Sequence, residues 1–226
     1  MIDERRPLEV VRTGRLGYRS GLDLQAERVR ARRAGEVPDT LYLVEHDPVL
    51  TLGTSTRSEN LLLAEDELRA RGYELAEVGR GGDVTYHGPG QLVGYPVLDL
   101  KPDRTDLHRY LRDLEEVLIR ALAAFGLEAG REDGLTGVWL PEGKVAAIGV
   151  RVSSGWITSH GFALNVDPDL SRFGVIVPCG IADRAVTSMA QALGSAPDPA
   201  RVEAAVVTAF SEVFDRRVVD QPPAGA

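Results

Sequence analysis

Between Thr105 and Asn165 the chain reads as one long amphipathic helix followed by three strand runs with no helix between them, and this order constrains the fold most. Leu107, Tyr110, Leu114, Val117, Leu118 and Phe125 recur at helical spacing within Thr105 to Phe125, and Gly126 ends the helix. Val138 to Leu140, Lys144 to Val152 and Trp156 to Asn165 then read as strands, the last two joined by a Ser153-Ser154-Gly155 turn. Contiguous strands of this kind form antiparallel ladders. A doubly wound parallel sheet would require a helix in each gap. The expected fold is therefore α/β of the α+β kind, a mixed and largely antiparallel sheet backed by helices.

The flanking segments fit that plan. Leu8 to Arg12 reads as a strand and Tyr18 to Arg33 as a helix. Thr40 to Glu45 and Pro48 to Gly53 are strand runs that the intervening His46-Asp47 would join as a hairpin or tight corner. Glu65 to Arg71 reads as a short helix and Tyr73 to Gly79 as a strand, the glycine-bearing stretch Arg80 to Gly94 runs into Tyr95 to Leu100, and Val186 to Leu193 and Pro199 to Phe214 read as helices. A strand through Val175 to Val177 would end at Pro178. One domain over 1–220 with a frayed tail at 221–226 is expected; Gly194 to Pro199 is the boundary most open to suspicion.

Composition narrows the function. Twenty-four Gly, 13 Pro and one Cys in 226 residues exclude collagen-like and disulfide-stapled chains. A net charge of -8 argues against general nucleic-acid binding, which depends on neutralising phosphates. Apolar runs such as Leu41 to Val44 and Ala146 to Val150 are far shorter than the roughly 20 residues of a membrane span. The first residues hold no apolar signal-peptide core, and a lone cysteine makes no internal bridge, so a cytoplasmic location is expected.

Several groups could carry chemistry. Gly79 to Gly90 is glycine-rich, but Val84 stands where a dinucleotide fingerprint needs its third glycine, and no Gly-Lys-Ser/Thr occurs. The segment reads either as a backbone cradle for a ligand, with Arg80, Tyr86 and His87 along it, or as a plain turn. Cys179, set in Pro178-Cys179-Gly180, reads as a nucleophile at a strand edge or as a buried core thiol. A nucleophilic thiol needs a cation to favour its thiolate. Only Lys101 and Lys144 are lysines among 26 basic residues, and Lys144 precedes the small-residue run Val145 to Gly149. In His160 to Asn165, alternation sets His160, Phe162 and Leu164 on one face, leaving Gly161, Ala163 and Asn165 on the other with room for a substrate. His46 and His108 are weaker candidates. Neither an HExxH metal motif nor a GxSxG nucleophile elbow is present.

Arg80 to Gln91, then Lys144 with Ala147-Ile148-Gly149, then His160 to Asn165, then Pro178-Cys179-Gly180-Ile181 closely resemble, in order and spacing, the lipoyl(octanoyl) transferases of the biotin/lipoate ligase superfamily. The resemblance spans about Leu41 to Met189. It implies the biotin/lipoate ligase catalytic fold, and transfer of octanoyl from octanoyl-acyl carrier protein to a lysine of a lipoyl domain, in 2-oxoacid dehydrogenase complexes or the glycine cleavage H protein. It further implies a thioester on Cys179, with Lys144 lowering the thiol pKa and handling protons. Arg80, Gly81, Gly82, Asp83, Val84, Thr85, Tyr86, His87, Ala147, Ile148, Gly149, Gly161, Phe162 and Ala163 are implied to line the acyl site. No cofactor, metal, nucleic acid or membrane is expected. Thr54-Ser55-Thr56 departs from relatives that often carry a basic residue there. The rival readings are an ATP-dependent lipoate ligase and a non-catalytic acyl-binding module, and Cys179 paired with Lys144 argues against both. Arg28, Arg30, Arg32 and Arg33 on the first helix are expected to steer an acidic carrier protein, or to be a solvated helix face.

Overall fold

A computed structural model describes residues 4–177 and 185–219. Its strands are β1 (Arg6–Leu16), β2 (Asp39–His46), β3 (Val49–Leu52), β4 (Glu74–Glu77), β5 (Thr85–His87), β6 (Gln91–Val97), β7 (Val138–Leu140), β8 (Gly143–Val152), β9 (Thr158–Asn165) and β10 (Arg216–Val219). Its helices are α1 (Tyr18–Ala34), α2 (Glu65–Ala70), α3 (Leu107–Ala123), α4 (Met189–Leu193) and α5 (Pro199–Phe214).

Among the described residues a seven-stranded sheet runs in the order β10-β1-β2-β6-β9-β8-β7. The β10-β1-β2 edge is parallel and the rest antiparallel. Helices α3 and α5 cover one face. Leu114, Val117 and Leu118 of α3 share a core there with Val206, Phe210 and Phe214 of α5 and with Phe162 and Leu164 of β9. Asp106 caps α3 by accepting the His108 and Arg109 amides, and Asp198 caps α5 ahead of Pro199. On the opposite face Tyr42, Val44, Val93, Tyr95 and Ala163 pack with Val29 of α1. A smaller sheet, β4-β3-β5, holds its own core of Leu50, Leu68, Tyr73, Val84 and Tyr86.

The edge of the large sheet is pinned by Asp39, which is fully buried. Its carboxylate accepts from Arg32 Nε at 2.8 Å, Arg216 Nε at 2.9 Å and the Asp99 amide at 3.0 Å. Arg28 pairs with Glu9 and donates to Thr40 Oγ1 at 2.6 Å. Arg28 and Arg32 therefore fasten α1 to the sheet and do not form part of a solvated steering face. Arg30 reaches Glu36 at 3.8 Å and Arg33 donates to Ser153 Oγ at 2.9 Å.

Four local expectations change. The strands on either side of His46-Asp47 do not form a hairpin, because β2 lies in the large sheet and β3 in the small one. The glycine-rich segment contains β5, paired with β3. The apolar run before Pro178 is not a strand: a 3₁₀ turn spans Leu170–Val175, with Asp169 accepting the Ser171 amide at 3.0 Å, and Ile176 makes one bridge to Leu61. A local aspartate cap outweighs β-branched propensity here. Val186 bridges Lys144, and α4 starts only after Ser188 Oγ accepts the Gln191 amide at 3.1 Å. Strand β10 was not anticipated.

Candidate active site

The glycine-rich segment lies where the two sheets meet. Arg80 is buried, and its guanidinium donates to the Thr51 carbonyl and Thr51 Oγ1, each at 2.7 Å, and to the Gly81 carbonyl at 3.1 Å. The loop rests against β8 because Gly149 has no side chain. A Cβ there would come within 3.0 Å of the Gly81 carbonyl and 3.1 Å of Arg80 Cδ. Gly82 turns the loop with a φ of +90, and the Asp83 carboxylate bonds the Asn60 amide group.

A narrow cleft of about 50 Å³ opens between this loop, α1 and the middle of β8 and β9. Arg80 to Asp83, Thr85, His87, Ala147 to Gly149 and Gly161 to Ala163 border it, all of them sequence-predicted site residues. Val84 and Tyr86 point to the other side of β5, into the small-sheet core. A second, smaller space also touches Thr85, Ala147 and Ala163 and extends to Lys144 and Val186.

Lys144 begins β8. Its Nζ lies 4.9 Å from the centre of the Trp139 ring. Gly137, at a φ of +134, makes space for the lysine stem, since a Cβ there would stand 2.5 Å from Lys144 Cε. The Lys144 amide donates to the Ala185 carbonyl at 2.9 Å, and its carbonyl accepts from the Thr187 amide at 3.0 Å. Cys179 lies outside the described residues. Of the described residues to either side of it, Val177 donates its amide to the Asn60 carbonyl at 2.9 Å and Ala185 lies against Lys144.

Sequence reasoning did not anticipate the aromatic and amide groups behind the cleft. Tyr18 stacks on His87 with ring centres 6.1 Å apart and meets His46 edge-on at 5.1 Å. His46 Nδ1 lies 2.8 Å from the Leu16 carbonyl and Nε2 2.7 Å from the Tyr95 hydroxyl. A carbonyl only accepts, so Nδ1 carries the proton and Nε2 accepts from Tyr95. His87 Nδ1 donates to Gln91 Oε1 at 2.7 Å; Gln91 Nε2 donates to Asn165 Oδ1 at 2.9 Å; Asn165 Nδ2 donates to the Thr187 carbonyl at 2.9 Å. Gln91 and Asn165 sit within the recognised blocks, but their types alone carry no sign of this relay. Tyr18, at the first turn of a helix, offers no signal at all.

Burial sets the protonation of the cleft. It pushes the His87 pKa down to about 3, with the His46 ring adding to the effect, and the His160 pKa down to about 4, with the Arg80 and Arg151 cations adding. His46 is lowered by burial as well, and the Tyr18 hydroxyl is pushed up to about 12. At neutral pH these rings are uncharged hydrogen-bonding groups. His160 does not follow strand alternation; with a φ of +56 it borders the cleft. His108 is exposed on α3, away from the cleft. Among the described residues no group of three or more His, Cys, Asp or Glu could hold a metal ion, and no helix is long and apolar enough to cross a membrane.

The family model of the lipoyl protein ligase A/B catalytic domain matches residues 17–211. The octanoyltransferase of Rubrobacter xylanophilus is 54% identical across 94% of this chain and 97% of its own length. That of Chloroflexus aggregans is 47% identical across 95% and 98%. Among solved structures, the bipartite lipoate protein ligase of Thermoplasma acidophilum superposes with a TM-score of 0.71 at 20% identity, covering 97% of this chain and 88% of that one. Biotin protein ligase from Aquifex aeolicus gives 0.52 at 16% identity, covering 93% and 69%. These two likenesses carry the fold, a mixed α/β sheet of the lipoate and biotin ligase type. The chain belongs to the lipoyl protein ligase A/B catalytic domain family and, within it, to the octanoyltransferases.

Proposed function

We propose that this acyltransferase takes octanoyl from octanoyl-acyl carrier protein onto Cys179 as a thioester and passes it to a lysine of a lipoyl domain, in 2-oxoacid dehydrogenase complexes or the glycine cleavage H protein. It acts in the cytoplasm as one catalytic unit over 1–220. The Cys179 thiolate attacks the carrier thioester, the carbonyl–sulfur bond to the carrier breaks, and the departing thiolate takes a proton from Lys144. The acceptor amine then attacks the acyl-enzyme and gives a proton to the now neutral Lys144, an amide forms, the acyl–sulfur bond breaks, and the Cys179 thiolate leaves beside the recharged lysine. Thioester exchange is nearly isoenergetic and amide formation runs downhill, so the cycle consumes no nucleotide.

The observation that carries this reading is the alignment of Lys144 with the cleft along β8. Lys144, whose amide donates to the Ala185 carbonyl, borders one space, and Ala147, Gly149, Gly161 and Ala163 leave a slot of small residues beside it. Burying the octanoyl tail in that slot contributes roughly 5 kcal/mol at about 0.8 kcal/mol per methylene, enough to favour the chain length coarsely. Arg80 to His87 shape the slot from above. Intact-mass measurement after mixing with octanoyl-carrier protein should show one octanoyl adduct, removed by neutral hydroxylamine and absent in Cys179→Ala. An adduct that resists hydroxylamine or persists in Cys179→Ala contradicts the mechanism, and an absolute requirement for ATP would mark a ligase.

A further inference from the structure

We propose that Gln25 is a positioning residue that turns His160 into the acyl cleft, and that His160 closes the end of the cleft remote from Lys144. This rests on the reading of the cleft as an octanoyl site.

In a regular strand His160 would face the same way as Phe162 and Leu164, both of which are packed in the α3/α5 core. Its φ of +56 lies in the left-handed region, which side chains other than glycine rarely adopt. The ring instead borders the cleft with Tyr18, His87 and Tyr95. Such a backbone persists only where the surroundings hold it. Gln25 Oε1 accepts the His160 amide at 2.7 Å, and Gln25 Nε2 donates to the Gly21 carbonyl one helical turn back at 3.2 Å. Gln25 is 3% exposed, on a face of α1 whose other buried residues are Tyr18, Gly21 and Ala31. An apolar side chain would be easier to bury there. The amide's two hydrogen bonds, one of them to the strained residue, account for its presence.

The sheet register places His160 one position beyond the small-residue pair. Gly149 pairs with Gly161 and Val150 with His160, so an acyl chain running from Lys144 past Ala147 and Gly149 next meets His160. Burial, with the Arg80 and Arg151 cations adding, opposes its protonation and leaves a neutral ring there.

The test compares kcat/KM for octanoyl- and dodecanoyl-carrier protein. His160→Gly, which keeps the backbone conformation and removes the wall, should raise the dodecanoyl-to-octanoyl ratio severalfold. Gln25→Met should move the ratio the same way, and the double variant should go no further than His160→Gly alone. Should Gln25→Met not fold, Gln25→Asn, which withdraws the oxygen by one methylene, replaces it. A ratio unchanged in the Gln25 variant, or effects that add in the double variant, would overturn the proposal. A wild-type protein that transfers no octanoyl at all would overturn the acyl-site reading instead.

Discussion

Gln91 and Asn165, on adjacent strands of the large sheet, are joined side chain to side chain at 2.9 Å, and through them the buried His87 ring is tied to the Thr187 carbonyl. Thr187 in turn donates its amide to the Lys144 carbonyl. The cleft and the lysine are thus held by one polar relay. Asn165→Leu would leave both the Thr187 carbonyl and a Gln91 donor without these partners. At about 1–3 kcal/mol for each buried group left unsatisfied, the variant should be clearly less stable to urea. Combining it with Gln91→Leu should cost less than the sum of the single changes, since both partners of one bond are then gone. Strict additivity would show that the two amides do not act as a unit.

In the proposed cycle Lys144 supplies both charge and a proton, and arginine can supply only charge. Lys144→Arg should keep part of the reactivity of Cys179 toward alkylation at mildly acidic pH while losing most transfer; Lys144→Ala should lose both. Gly137→Ala gives an independent check, because its methyl would occupy the space of Lys144 Cε. It should reduce transfer with Lys144 itself unchanged, and transfer at the wild-type rate would show that the lysine stem is not held by Gly137.

Asp39 neutralises Arg32 and Arg216 at the parallel edge, and Arg216 is 2% exposed. Removing one partner of such a pair leaves a buried charge uncompensated, so Asp39→Ala should destabilise by about 3–5 kcal/mol. Reversing Arg30, which is 69% exposed on its side chain, should leave the urea midpoint nearly unchanged. Equal losses from the two changes would mean that α1 is not anchored through Asp39.

The helices and the β7-β8-β9 meander were legible because their cause is local: helical spacing in α3 and short turns between strands. Strand β5 was hidden because Thr85 to His87 is three residues flanked by glycines, and its pairing with β3 is set by partners distant in sequence. The split between β2 and β3 was hidden for the same reason, since two strand runs around a short corner look alike whether they pair with each other or with different sheets. In the site, Gly149 and Gly161 were readable as small residues that leave room for a ligand, and Arg80 as a polar group along the glycine-rich segment. The side His160 faces was not, because one left-handed residue reverses what alternation predicts, and Gln25, which holds it, lies 135 positions away.

The buried histidines predict how stability varies with pH. His87 and His160 titrate near 3 and 4 in the folded protein, against about 6.5 when unfolded, and His46 is shifted the same way. Between those values the unfolded chain binds protons that the folded chain does not, so their contribution is fully present above about pH 6.5 and is lost as pH falls toward the folded values. Each neutral histidine can change the unfolding free energy by at most about 1.4 kcal/mol per pH unit in that window. Urea midpoints should therefore fall steadily from pH 7 to pH 5.5, above the range where most carboxylates titrate. His87→Gln should make the decline shallower by a fraction of one proton's worth of slope that grows toward pH 5.5. A slope identical to that of the wild type would show that His87 is already protonated in the folded cleft, and would withdraw the neutral relay through Gln91.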